Sequence, residues 1–192
     1  MAPREENPTL AFASPKAWEA WLARNYAKSP GIWLRIYKKG SGQRSITYAE
    51  ALDGALCYGW IDSQKRPKDE VSWLQRFGPR RPRGGWSRIN TRHAERLIAE
   101  GRMKRAGLAE VEAARQDGRW QRAYDSPSAA SVPADFLAAL ARSKKARSFF
   151  EGLSRANVYA IAYRLQTAKK PETREKRMRL ILAMLARGES FH

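Results

Sequence analysis

The sequence predicts an α+β fold, a small three-stranded antiparallel sheet with packed helices followed by an all-helical C-terminal part. Three observations predict it. Residues 32–37 alternate Ile32, Leu34 and Ile36 with Trp33, Arg35 and Tyr37, which is the two-residue period of a strand with one aliphatic face and one aromatic and basic face. Residues 60–65 and 71–77 read as two more strands, joined by a polar, Pro-containing turn at 66–70. Beyond residue 88 the apolar residues recur at helical spacing, and helices are expected at about 88–100, 107–117, 134–150, 155–168 and 172–187.

The elements before the sheet follow from local signals. Ser14-Pro15 opens a helix over 15–27 that packs through Trp18, Trp21 and Leu22, and Ser29-Pro30-Gly31 breaks it. After the turn Lys39-Gly40-Ser41-Gly42, Thr47 and Glu50 have capping-box spacing. They predict a short helix over 48–58, with Ala51, Leu52, Ala55 and Leu56 inward and Gly59 at its end. Residues 78–86 contain two prolines and three glycines and are expected to form an Arg-rich loop. The Ser/Ala/Pro-rich stretch 125–133 is the one plausible linker, so the chain divides into an α+β core at 1–125 and a helical region at 126–192. The last helix carries Met178, Ile181, Leu182 and Leu185 on one side, the stripe of a helix that docks on its own protein; membrane-surface contact is not expected.

At 192 residues, 43% hydrophobic and 10% aromatic, the composition is that of a folded chain and not of a disordered basic tail. Lys plus Arg number 37 against 19 Asp plus Glu, a net charge of +18 that attracts nucleic acid or other polyanions. Cys57 is the one cysteine, so an intrachain disulfide is excluded and a reducing compartment is the natural reading. The polar start of the chain lacks the pattern of a secretory signal, and no apolar run approaches the roughly 20 residues of a membrane span. A cytoplasmic location is therefore expected.

The strongest local signal lies at 76–92, where Arg76, Arg80, Arg81, Arg83, Arg88 and Arg92 accompany Trp86 without an acidic residue. Guanidinium forks bind phosphates and aromatic faces stack bases, so this segment is a candidate anion or nucleic-acid site. The same arginines could instead cap helix ends and stack on tryptophans to close a small core. A second candidate is a ligand pocket around Tyr58, Trp60, Asp62 and Asn90, with one carboxylate and several donors. It lacks a second carboxylate or base, which favours recognition over catalysis. His93 and His192 are the only histidines, so a usual zinc set cannot be assembled, and no metal or cofactor is expected.

Several ordered motifs carry a family resemblance. They are Ala55-Leu56-Cys57-Tyr58-Gly59-Trp60-Ile61-Asp62, Arg76-Phe77-Gly78-Pro79-Arg80-Arg81, Trp86-Ser87-Arg88-Ile89-Asn90, Gly101-Arg102-Met103, and Ala168-Lys169-Lys170-Pro171-Glu172-Thr173-Arg174. Together they resemble the YdeI/OmpD-associated family, also called bacteriocin-protection proteins. The resemblance implies a link to bacteriocin or cationic-peptide tolerance and names no reaction. A protein of charge +18 repels a cationic peptide. Protection would then be indirect, through an anionic partner such as nucleic acid. The alternative is a small-molecule-binding or enzymatic envelope-stress protein with its pocket near Trp60, Asp62 and Asn90.

Overall fold

The computed structural model describes residues 7–126, 129 and 131–192. Part of the expected 125–133 linker and most of the N-terminal segment lie outside the described residues. The chain divides into two compact units. The first contains the chain up to Gly84 together with Arg92–Asp117, and the second contains Gly85–Thr91 and Gly118–His192.

In the first unit, β1 (Thr9–Leu10) leads through α1 (Pro15–Asn25) to β2 (Ile32–Tyr37), and α2 (Tyr48–Cys57) leads to β3 (Trp60–Asp69) and β4 (Ser72–Pro79). The sheet is therefore four-stranded and mixed, in the order β1-β2-β4-β3, and the expected three-stranded antiparallel sheet is corrected. Thr9 and Leu10 pair in parallel with Trp33 and Leu34. Parallel neighbours need a crossover of about a dozen or more residues, and α1 supplies it. Two residues after Pro8 are too few to show a strand period, which is why β1 is silent in the sequence.

The turn expected at 66–70 is also corrected. β3 runs on to Asp69 and the reversal is made by Glu70 and Val71. Pro67 can stay in the strand because β3 lies at the sheet edge, where a missing N–H breaks no ladder, and the register shifts beside it. Asp69 closes the hairpin, accepting from Ser72 Oγ at 2.7 Å and from the Val71 N–H at 3.2 Å.

Local caps fix the helices around the sheet. Ser14 Oγ accepts from the Ala17 N–H at 3.3 Å, with Pro15 in the first turn. Thr47 and Glu50 form the expected reciprocal box: the Thr47 N–H donates to Glu50 Oε2 at 2.8 Å and the Glu50 N–H to Thr47 Oγ1 at 3.3 Å. The core is aromatic, with Trp18, Trp60 and Phe77 almost fully buried. Trp18 stacks on Trp21 at 5.5 Å and meets Phe77 at 5.9 Å, and its Nε1–H donates to the Ala51 carbonyl at 3.0 Å.

α4 (Arg105–Gln116) approaches α2 through Gly107, where a Cβ would stand 2.5 Å from the Cys57 carbonyl and 2.6 Å from that of Leu56. An ion cluster ties α1 and α2 to α3 (Arg88–Ala99) and the turn after it: Arg96 grips Asp53 and Glu100, and Arg102 reaches Glu19 at 3.1 Å.

The second unit is helical. α5 (Ala134–Leu140), α6 (Lys144–Glu151), α7 (Arg155–Gln166) and α8 (Pro171–Ala186) surround Phe136, Leu140, Ala146, Ile161, Leu165, Ile181 and Leu185. The single helix expected at 134–150 is split, because Ser143 turns out of the helix and its Oγ caps a new one by accepting from the Ala146 N–H at 3.3 Å. α8 buries Ile181 and Leu185 in this core, as the apolar stripe predicted. No helix among the described residues is long and apolar enough to cross a membrane.

Candidate functional site

The Arg-rich segment is irregular over a shorter stretch than expected, since β4 continues through Pro79. Arg81-Pro82-Arg83-Gly84 forms a turn in which the Gly84 N–H donates to the Arg81 carbonyl at 2.9 Å. Arg83 is the one non-glycine residue with positive φ among those described, at 58°. A bulky side chain in that region is uncommon and mildly strained, so the turn is held by its surroundings.

The six arginines separate by environment. Arg80 is only 8% exposed, and its N–H donates to the Gly59 carbonyl at 3.1 Å. Arg76 is half-buried at the β2–β4 register pair with Trp33, beside the Asn7 side chain. Arg88 belongs to the second unit and holds Asp125 at 2.8 Å. Arg81, Arg83 and Arg92 are exposed, and no hydrogen bond or ion pair engages their side chains among the described residues.

Trp86 is 2% exposed and packs on Trp120 with ring centroids 5.0 Å apart, so it is buried and offers no face to a base.

The aromatic and basic face of β2 is also internally satisfied. Arg66 lies over the Trp33 ring at 4.0 Å, and Arg35 lies over Tyr37 at 4.5 Å while pairing with Asp69 at 2.6 Å. These cations serve the sheet.

The residues expected to form a pocket each make contacts of their own. Trp60 is 1% exposed, and its Nε1–H donates to the Tyr26 carbonyl at 3.0 Å. Tyr58 caps α2 and meets the Tyr26 ring at 5.7 Å. Asp62 turns instead to the start of α2, where the Tyr48 hydroxyl donates to it at 2.9 Å. Burial, then the Asp62 charge, pushes Tyr48 ionisation well above its ordinary range. Asn90 lies in the second unit, its N–H donating to Ser87 Oγ at 3.3 Å. Among the described residues, no group of three or more His, Cys, Asp or Glu side chains could hold a metal ion.

The second unit contains a feature that the sequence reading passed over, an open groove of about 840 Å³ along α7. Ala156 and Ala160 form its floor, Tyr159 and Tyr163 stand beside them, and Arg155, Arg164 and Arg177 contribute three guanidinium groups. The Tyr159 and Tyr163 rings are 5.9 Å apart. One Arg177 nitrogen donates to the Arg164 carbonyl at 2.7 Å and to Thr167 Oγ1 at 3.4 Å. At the far edge, Asn157 Oδ1 accepts from the N–H groups of Phe191 and His192, each at 3.1 Å. Burial raises the Tyr159 pKa from its ordinary value, so the hydroxyl stays a donor. The recoverable signal was Arg155, Tyr159, Tyr163 and Thr167 at four-residue spacing, away from the buried Ile161 and Leu165.

Comparison with known proteins divides the chain in a similar place. Residues 10–110 match the family model described as Domain of unknown function (DUF8412). Residues 129–188 match the model described as Bacteriocin-protection, YdeI or OmpD-Associated, the family that the motifs resembled. That second region holds the 168–174 motif, while the motifs between Ala55 and Met103 fall within the first. No curated protein and no solved structure matches the chain.

Proposed function

The chain belongs to the family of the Domain of unknown function DUF8412, and its residues 129–188 match the Bacteriocin-protection, YdeI or OmpD-Associated model; for a member with this charge we propose a non-enzymatic module that binds an anionic partner, nucleic acid first. The observation that supports this reading is the trio Arg81, Arg83 and Arg92, exposed and engaged by no carboxylate among the described residues. Arginine side chains keep their charged heads in water, where they stay open to an anion. In a chain of net charge +18, three guanidinium groups left to solvent suit phosphate oxygens, which each can bind through two parallel N–H bonds. Arg81 and Arg83 share one turn, and the backbone conformation of Arg83 fixes where its side chain leaves that turn. Any part in bacteriocin tolerance would then be indirect, because the same charge repels cationic peptides.

Binding of duplex DNA measured against salt tests the proposal. Each phosphate contact contributes a slope of about −0.9 in log K against log salt. Replacing Arg81 and Arg83 together by Ala should weaken binding on every sequence alike and flatten the slope by roughly 1 to 2. An unchanged slope, or a wild-type Kd weaker than about 10⁻⁴ M at physiological salt, removes the assignment.

A further inference from the structure

We propose that the α7 groove of the second unit is a binding site for a small aromatic anion, a planar ring carrying a phosphate or a carboxylate. This site is separate from the arginines of the 81–84 turn and does not rest on their role.

Three features of the groove point to that ligand class. Its volume of about 840 Å³ lies in the range of small-molecule sites, roughly 300–1,000 Å³. Its charged side chains are Arg155, Arg164 and Arg177, with no Asp or Glu, and His192, the last residue of the chain, lines one edge. The nearest acid that bears on Tyr159 is Asp125, which is occupied by Arg88 at 2.8 Å and by Gln166 Nε2 at 2.9 Å.

The cations are held but not used up. Arg177 spends one nitrogen on Arg164 and Thr167, and its others make no bond among the described residues. Arg164 lies over the Phe191 ring at 4.2 Å, and its N–H groups make no hydrogen bond among the described residues. Arg155 has no partner among the described residues. A fork of N–H donors without an acceptor fits a carboxylate or phosphate.

The tyrosines supply the second half of the recognition. Tyr163 is 39% exposed, and neither its hydroxyl nor that of Tyr159 has a hydrogen-bond partner among the described residues. Ala156 and Ala160 keep the floor between them low enough for a flat ring to lie along the helix. A planar anion would cover this exposed aromatic surface and accept from the donors beside it.

Calorimetric titration of the full chain with adenosine 5′-monophosphate, adenosine, 2-naphthoate and inorganic phosphate tests this. The two aromatic anions, or one of them, should bind about tenfold or more tighter than adenosine or phosphate alone, since stacking and the charged bonds each contribute. Which of the two binds separates a phosphate from a carboxylate. Arg155→Gln alters an exposed side chain and should keep the wild-type melting temperature, while Tyr163→Leu also removes ring contacts with Tyr124 and Tyr159 and should melt somewhat lower but fold; each should weaken binding roughly fivefold or more. Arg81→Ala with Arg83→Ala should leave it unchanged. Equal binding of inorganic phosphate, no saturation by either aromatic anion up to about 10 mM, or undiminished binding in both groove variants would overturn the site.

Discussion

Arg96 grips Asp53 through a single nitrogen that reaches both carboxylate oxygens, at 2.6 and 2.7 Å, and so ties α3 to α2. Asp53 is only 15% exposed and also faces Arg102 at 3.8 Å and His93 at 3.4 Å. Removing the acid therefore takes from Arg96 and Arg102 the least exposed carboxylate that they share, leaving them Glu100 and Glu19. Asp53→Asn should destabilise the first unit by about 1–3 kcal/mol, the usual cost of losing a charged hydrogen-bond partner. Urea denaturation reads this as a lower midpoint at constant slope. An unchanged midpoint would mean that the cluster is solvated and idle.

In the second unit, Arg174 clasps Asp135 at 2.6 and 2.8 Å and joins the start of α8 to the start of α5. The Arg174 hydrogen bonds, helped by its charge, hold the Asp135 carboxyl below the ordinary range. A folded-state pKa depressed in this way contributes stability that is fully present above the unfolded value of about 3.9 and is lost as pH falls through the lower folded value. Asp135→Asn should thus be less stable than wild type at neutral pH. The difference should shrink as pH drops below about 4, where the wild-type carboxylate is itself protonated. Thermal melts at pH 7 and pH 3 check this, and a deficit that is constant with pH would exclude the ion pair as its source.

Cys57 lies at the end of α2, 2% exposed, with its thiol pushed up to about 11 by burial. The thiolate is the reactive form, so the native protein should resist alkylation at pH 8. In the unfolded chain the same thiol returns to about 8.5 and reacts readily. Labelling by iodoacetamide across a urea series should follow the unfolding transition. Rapid labelling of the native protein would show that α2 and α4 separate locally around Gly107.

What the sequence made legible was whatever rests on nearest neighbours along the chain. Ser14, the Thr47–Glu50 box and the alternation of β2 each act within a few residues, and each stands where it was expected. Pairing across distance was less visible. Two residues form β1 only because β2 is there to receive them, and Pro67 stays in β3 only because no strand lies outside it. The candidate site divided in the same way. An Arg-rich run says nothing of which guanidinium groups are taken, and Arg80 and Arg88 proved engaged while Arg81 and Arg83 did not. Trp86, read as a stacking platform, is core because Trp120 lies against it from far along the chain. Asp62, read as the carboxylate of a pocket, accepts from Tyr48, fourteen residues before it, which the sequence did not point to.

The two borders of the sheet also bear on how this protein behaves at high concentration. One border is β1, only two residues long; the other is β3, where Pro67 offers no N–H and Lys65, Arg66 and Lys68 crowd the same stretch with positive charge. A second copy trying to zip onto either border would find too short a template on one side, and on the other a gap in the ladder and a row of like charges. Strand-to-strand polymerisation is thereby discouraged at both ends, and a chain so rich in tryptophan and tyrosine can stay dispersed while it is being made.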